Sequence, residues 1–323
     1  MNDLPSPHLS APLATIPGID PIRHPATCRL LAALLTHWPD HRAYLEKSFA
    51  CRPVEVLATG ETTAGLIERI AGEQLSDFCA DYRFKCRLVQ MEEIHFRRHG
   101  RYRLSTFDEA RREVYDNAAF MGRYLNGILM THLFWSNHAT VIHAYREIFL
   151  TSNAAGYRHL EVGPGHGLLL HFATNDPRCA HAEGWDISTT SLQATSACLQ
   201  RFETAHKVQL RQRDLFDPAL PARPAFDSIV ISEVLEHLEQ PRQALEILSA
   251  HLLPGGRIFI HVPVNGPSPD HIFLFRSPEE VEEMVRATGL TPVTSRIIPG
   301  TGYDLERARR DSLMLSCIVI ATR

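Results

Sequence analysis

The stretch Leu160-Glu-Val-Gly-Pro-Gly-His-Gly-Leu168 constrains the fold more than any other part of this chain. It reads as a short buried strand that stops at three alternating glycines and continues as a helix. Gly163, Gly165 and Gly167 allow a tight turn and a close backbone approach to a ligand, because no Cβ intervenes. A second apolar strand, Ala182-Glu-Gly-Trp-Asp-Ile187, follows one strand–helix unit later and carries Asp186. A glycine-rich first turn with an acid at the end of the next strand is how a doubly wound sheet grips a nucleoside ribose.

The spacing here is G-x-G-x-G. A dinucleotide fingerprint is G-x-G-x-x-G, and its last glycine falls at Leu168. Three later segments separate the two readings. Arg213-Asp214-Leu215 follows a third strand, Val208–Gln212. Phe226-Asp-Ser-Ile-Val-Ile-Ser-Glu-Val-Leu-Glu-His-Leu238 forms a fourth strand and its exit. Leu252-Leu-Pro-Gly-Gly-Arg-Ile-Phe-Ile260 turns into a fifth. In this order the four motifs resemble those of the class I S-adenosylmethionine (SAM) methyltransferases, over roughly residues 150–323. The resemblance implies an α/β fold: a seven-stranded doubly wound, Rossmann-like sheet with its last strand antiparallel. It also implies SAM as cofactor, with Asp186 at the ribose, Asp214 and Leu215 at the adenine, and Glu161, Gly163 and Gly165 near the methionine moiety. Ser232 lies at the same crevice, since ligands of open α/β sheets sit at the carboxyl ends of the strands.

The chain has 323 residues, enough for more than one core, and its 44% hydrophobic and 22% charged content is that of a soluble globular protein. A net charge of −4 argues against a general polyanion binder, and no apolar run reaches the ~20 residues of a membrane span. Seven scattered cysteines without a C-x-x-C pair fit a reducing cytoplasm better than a disulfide framework.

The sequence divides into a proline-rich flexible arm (1–24), a helical domain (25–106), linking helices (107–150) and the sheet domain (151–323). Helices are expected over Pro25–Leu45, Thr62–Ile70 and Leu75–Gln90. Glu93–Ser105 alternates apolar and polar residues on both sides of His99-Gly100, as a β-hairpin would. Three helices and a hairpin make a winged-helix pattern, the dimerisation domain of small-molecule methyltransferases of the natural-product type; a homodimer is the expected assembly. The same pattern in regulators binds DNA. Arg83, Lys85, Arg87, Arg97, Arg98, Arg101 and Arg103 form a basic strip, but Asp81, Glu92 and Glu93 sit beside it.

The chemistry expected at the crevice is displacement at a sulfonium methyl, for which the protein positions the nucleophile and removes its proton. His237, just past the fourth strand, is the first candidate base. The polar, proline-stiffened loop His261–Ile272 presents Asn265, Asp270 and His271, with His271 a second catalytic candidate. Arg276 suits a substrate carboxylate. Tyr124, Asn137 and His138 are candidate substrate contacts from the linking helices. No short ligand spacing marks a metal site, although His138, His237 and His271 could converge on one, as in some 2-oxo acid C-methyltransferases. The expected function is methyl transfer from SAM to a small molecule, at carbon or at an enol or phenol oxygen, in specialised metabolism. The alternative is a SAM-binding or DNA-binding regulator without turnover.

Overall fold

The structure, a computed structural model, describes residues 16–220 and 223–323. The first fifteen residues of the expected arm therefore lie outside the described residues. The rest of it is anchored: Ile16 is buried, and the Asp20 carboxylate accepts from the Ile22 and Arg23 amides.

Four long helices precede residue 100: α1 (Pro25–His37), α2 (Arg42–Ala50), α3 (Val54–Ala71) and α4 (Leu75–His99). The single helix expected over Pro25–Leu45 breaks at Trp38, where Pro39 disfavours the helical region for its predecessor and removes a backbone donor.

The expected hairpin over Glu93–Ser105 is not formed. Helix α4 runs straight through Glu93–His99 and ends at Gly100, whose left-handed conformation (φ +65°) caps it by donating to the Phe96 carbonyl. His99-Gly100 is thus a helix stop and not a turn between strands. The alternation was misleading because Phe96 is buried on the helix while Tyr102 and Leu104 are buried in the irregular segment after it. Without a hairpin there is no wing. The basic strip is also dispersed: Lys85 is buried, Arg97 pairs with Glu93, and Arg103 pairs with Glu92 and Glu113.

The linking region forms α5 (Phe107–Ala110), closed at its start by a reciprocal Thr106–Glu109 capping box, then α6 (Ala118–Phe134) and α7 (Ser136–Ala144). A π-turn over Arg111–Tyr115 carries Tyr115 inward. Helices α4 and α6 touch backbone to side chain at Gly127, where a Cβ would stand 2.6 Å from the Lys85 Cβ and 2.8 Å from the Asp81 carbonyl oxygen. That approach sets Lys85 against Tyr124.

The sheet domain alternates β1 (Tyr157–Val162), α8 (Leu168–Asn175), β2 (Cys179–Asp186), α9 (Thr189–Arg201), β3 (Val208–Gln212), β4 (Phe226–Ser232), α10 (Pro241–His251), β5 (Leu252–Val264), α11 (Pro278–Ala287), β6 (Thr291–Pro299), α12 (Leu305–Arg310) and β7 (Leu315–Thr322). The seven strands lie in the order β3-β2-β1-β4-β5-β7-β6. The first five are parallel, and β7 runs antiparallel to both β5 and β6. Parallel strands buried on both faces need nearly continuous apolar runs, which Phe226–Ile231 and Ile258–Val264 supply. One apolar cluster joins Leu31, Phe49, Ile67 and Phe134 of the helices to Val230, Phe259 and Ile318 of the sheet. The helical half is therefore packed against one face of the sheet, above the carboxyl ends of its strands.

Candidate active site

A pocket of 1490 Å³ opens between the linking helices and the carboxyl ends of β1, β2, β4 and β5. One end is built by the glycine loop. Gly163 (φ +68°) must be glycine on two counts: its backbone is left-handed, and a Cβ would lie 2.5 Å from Val234 at the exit of β4. Glu161 closes β1. Its carboxyl is buried, Oε2 has no partner, and burial pushes its pKa well above the usual carboxylate range.

Asp186, at the end of β2, accepts from the Ser188 amide at 2.8 Å and the Ser191 hydroxyl at 2.7 Å. A carboxylate has about four acceptor positions, so two remain for a ligand's hydroxyls. Asp214 lies exposed on the pocket rim and accepts from the Phe216 amide at 2.9 Å, beside buried Leu215. Ser232 bonds His261 at 3.0 Å. All seven expected cofactor residues thus line one end of one pocket. An acid with an orphan oxygen, a backbone cradle that a Cβ would fill, and a second acid with spare acceptors form a set that could hold a ligand carrying an ammonium and a ribose diol.

The other end is lined by residues from both halves of the chain. Lys85 donates to the Tyr124 hydroxyl and to Ser268 Oγ, each at 2.8 Å, and Tyr124 donates to Asp270 Oδ1 at 2.7 Å. Burial opposes ionisation of Asp270, but His237, His271 and Lys85 together hold its pKa down at about 2. Burial depresses the Lys85 ammonium, with Asp270 and Glu233 opposing. His237 Nδ1 is 3.0 Å from the Asp270 carbonyl oxygen, and His271 Nδ1 is 2.7 Å from that of Gly266. Carbonyls only accept, so each Nδ1 carries a proton, and in the neutral form of each ring Nε2 keeps its lone pair.

Glu233 and Glu236 flank this group. Glu233 holds φ +56°, a strained value for a non-glycine residue. Burial raises its pKa to about 7. Glu236 is fully buried, and neither of its carboxyl oxygens has a hydrogen-bond partner.

Three expected placements need correction. Asn265 does not line the pocket: it sits at φ +50° and its side chain donates to the Arg276 carbonyl, which makes it a turn residue of the loop. Arg276 is exposed, outside the pocket, and its backbone amide donates to Glu280 at the start of α11. His138 lines the pocket but does not join His237 and His271: its Nδ1 faces Thr131 Oγ1 at 2.9 Å, and it neighbours His132 and Trp135. Asn137 also lines the pocket, tied to Ser316 at 3.0 Å. Lys85 was legible only as one cation in a basic strip. Tyr115, Glu233, Glu236 and Ser268 were not singled out, and no spacing signal marks them.

Residues 160–258 match the family model described as a methyltransferase domain. This segment is a methyltransferase domain. Its similarity to curated proteins includes the ubiquinone biosynthesis O-methyltransferase of Dechloromonas aromatica, 30% identical over 131 residues, which are 41% of this chain and 54% of that protein. The enzyme of the same name from Marinobacter nauticus is 32% identical over 123 residues, 38% of this chain and 49% of that one. The chain spans about half the length of these relatives. Among solved structures, an O-methyltransferase family protein from Burkholderia thailandensis aligns with 14% identity and a TM-score of 0.48, covering 65% of this chain and 61% of that one. The matched segment contains the glycine-loop end of the pocket with Glu233, Glu236 and His237; the other end also draws on the helices that precede it and the loop after β5.

Proposed function

We propose that the whole chain transfers the SAM methyl group to a small-molecule acceptor enclosed between α4, α6 and the exits of β4 and β5. The observation that carries this reading is one continuous pocket. It joins the glycine-loop end to a buried polar group contributed by both halves of the chain. SAM supplies the activated methyl and its leaving group. Asp186 would orient the ribose, Asp214 and Leu215 the adenine side, and Glu161 with the Gly163–Gly165 backbone the methionine part.

At the far end the chain positions and deprotonates the acceptor. Tyr124, held by Lys85 and Asp270, gives a fixed polar contact. His237 and His271 present unprotonated Nε2 atoms where an acidic O–H or C–H can be accepted. The acceptor is an enol, phenol or activated carbon acid, in keeping with the O-methyltransferase names of the similar proteins. Assembly as a homodimer through residues 25–106 and a cytoplasmic location belong to the same reading; Met91 and Ile94 leave an apolar patch exposed on α4. Among the described residues no helix is long and apolar enough to cross a membrane.

The test uses methyl-labelled SAM and a panel of catechols, phenols and 2-oxo acids. Label should move to one acceptor class. Failure to transfer to any of them, with retarded duplex DNA in a gel shift at low salt, would instead support the regulator.

A further inference from the structure

Glu236 poses a physical problem. Its side chain is 0% exposed and both carboxyl oxygens lack a partner. Leaving a buried carboxylate without a hydrogen bond or a counter-charge is costly. Its nearest nitrogen neighbours are the Nε2 atoms of His237, at 3.8 Å, and His271, at 3.9 Å from Oε1. Both are too far for a hydrogen bond. Both also lack a proton to give, since each ring's proton is committed at Nδ1 to a main-chain carbonyl. Three lone-pair donors therefore face one another across a gap, all within 4.8 Å.

We propose that Glu236, His237 and His271 bind a divalent transition-metal ion as a two-histidine, one-carboxylate site. Metal–nitrogen bonds of about 2.0–2.1 Å place tetrahedral donors about 3.4 Å apart, so binding would close the carboxylate–imidazole gaps of 3.8 and 3.9 Å by about half an ångström, and any separation near the 4.8 Å limit by more than one, through side-chain rotation. The carbonyl contacts of Asp270 and Gly266 to the two Nδ1–H groups are the outer-shell bonds that fix tautomer and ring orientation in histidine metal sites. The rings stand at 79° with centroids 4.9 Å apart, and each Nε2 lies within 4 Å of Glu236 Oε1. The local field agrees: Glu233, Glu236 and Asp270 lie near a single ammonium, Lys85. Nitrogen and oxygen donors of this kind select zinc, iron(II) or cobalt(II) over calcium or magnesium. Three protein ligands leave coordination positions open for acceptor oxygens, and an ion held there would engage both Nε2 lone pairs, so that the ion and not a free imidazole would lower the acceptor's pKa. That last point rests on the methyl-transfer reading; binding of the ion does not.

The test is titration of chelator-treated full-length protein with Co²⁺, read by its visible d–d absorption, beside calorimetric titration with S-adenosylhomocysteine. Wild type should take up one equivalent of Co²⁺. Glu236→Gln and His271→Gln should lose it while keeping S-adenosylhomocysteine affinity and the wild-type circular dichroism. A wild type that takes up no Co²⁺, or variants that bind it as wild type does, overturns the proposal. Should the variants not fold, X-ray absorption at the cobalt edge of the wild-type complex decides: two imidazole ligands support the site, and their absence refutes it. Co²⁺ uptake without S-adenosylhomocysteine binding would overturn the methyl-transfer reading alone, and the reverse would overturn only the metal site.

Discussion

His237→Ala lowers methyl transfer by about 10²–10⁴-fold, the range for losing a group that handles the acceptor's proton. It leaves S-adenosylhomocysteine affinity unchanged, because the His237 ring bonds Tyr115 and Asp270 and not Glu161 or Asp186. The ring is well placed for such an effect. Its Nδ1–H is committed to the Asp270 carbonyl and lies 3.3 Å from the Tyr115 hydroxyl, which itself donates to Asp270 Oδ2. The free Nε2 is thereby aimed and not merely present. His271→Ala does comparable damage if the two rings act on one ion, and much less if His237 is a solitary base. Steady-state kinetics on both variants separates these cases. Wild-type turnover in both contradicts any chemical role for this end of the pocket.

Lys85→Met destabilises the protein by about 3 kcal/mol, the scale for removing one partner from a buried charged group. The ammonium holds Tyr124 and Ser268, and through Tyr124 it supports ionised Asp270. Without it, Asp270 and Glu233 face each other with less compensation, and the pKa of Asp270 climbs from about 2. The pH dependence has a definite sign. A carboxyl depressed in the folded state contributes stability above its unfolded value of 3.8, and that contribution is lost as pH falls towards 2. Wild type should lose stability through that window, and Lys85→Met less so. Adding Asp270→Asn to Lys85→Met should recover part of the loss, as expected for directly coupled sites. Denaturant titration gives the numbers; a change below about 1 kcal/mol for Lys85→Met contradicts the account of this network.

The sheet domain was legible because its rules are local. Each strand is an apolar run ended by a turn signal, and the strands expected at Leu160, Ala182–Ile187, Val208–Gln212 and Phe226 lie within a few residues of the observed ones, while β5 already begins at Leu252. The glycine loop and Asp186 could be placed because their roles depend on backbone shape and strand order. The helical half was harder. His99-Gly100 serves equally as a hairpin turn and a helix stop, and only the tertiary burial of Phe96, Tyr102 and Leu104 selects the second. Lys85 looks like one more surface cation until Gly127 lets α6 close over it. Glu236 sits in Leu235-Glu-His-Leu238, where nothing in the spacing shows that the glutamate points inward without a partner. Asn265 failed as a ligand candidate for a converse reason: asparagine tolerates a left-handed backbone, and here that is its use. Side chains whose roles arise from contacts between the two halves are the ones the sequence concealed.

The glycine-loop end of the pocket is expected to bind SAM through the carboxyl ends of β1 and β2. Calorimetric titration of S-adenosylhomocysteine and NAD into wild type and Asp186→Ala tests it most directly. Wild type should bind S-adenosylhomocysteine at one site per chain and NAD not at all. Asp186→Ala should weaken binding by about 1–3 kcal/mol through lost charge-assisted hydrogen bonds to the ribose. Binding of NAD by wild type, or unchanged S-adenosylhomocysteine affinity in Asp186→Ala, contradicts the account.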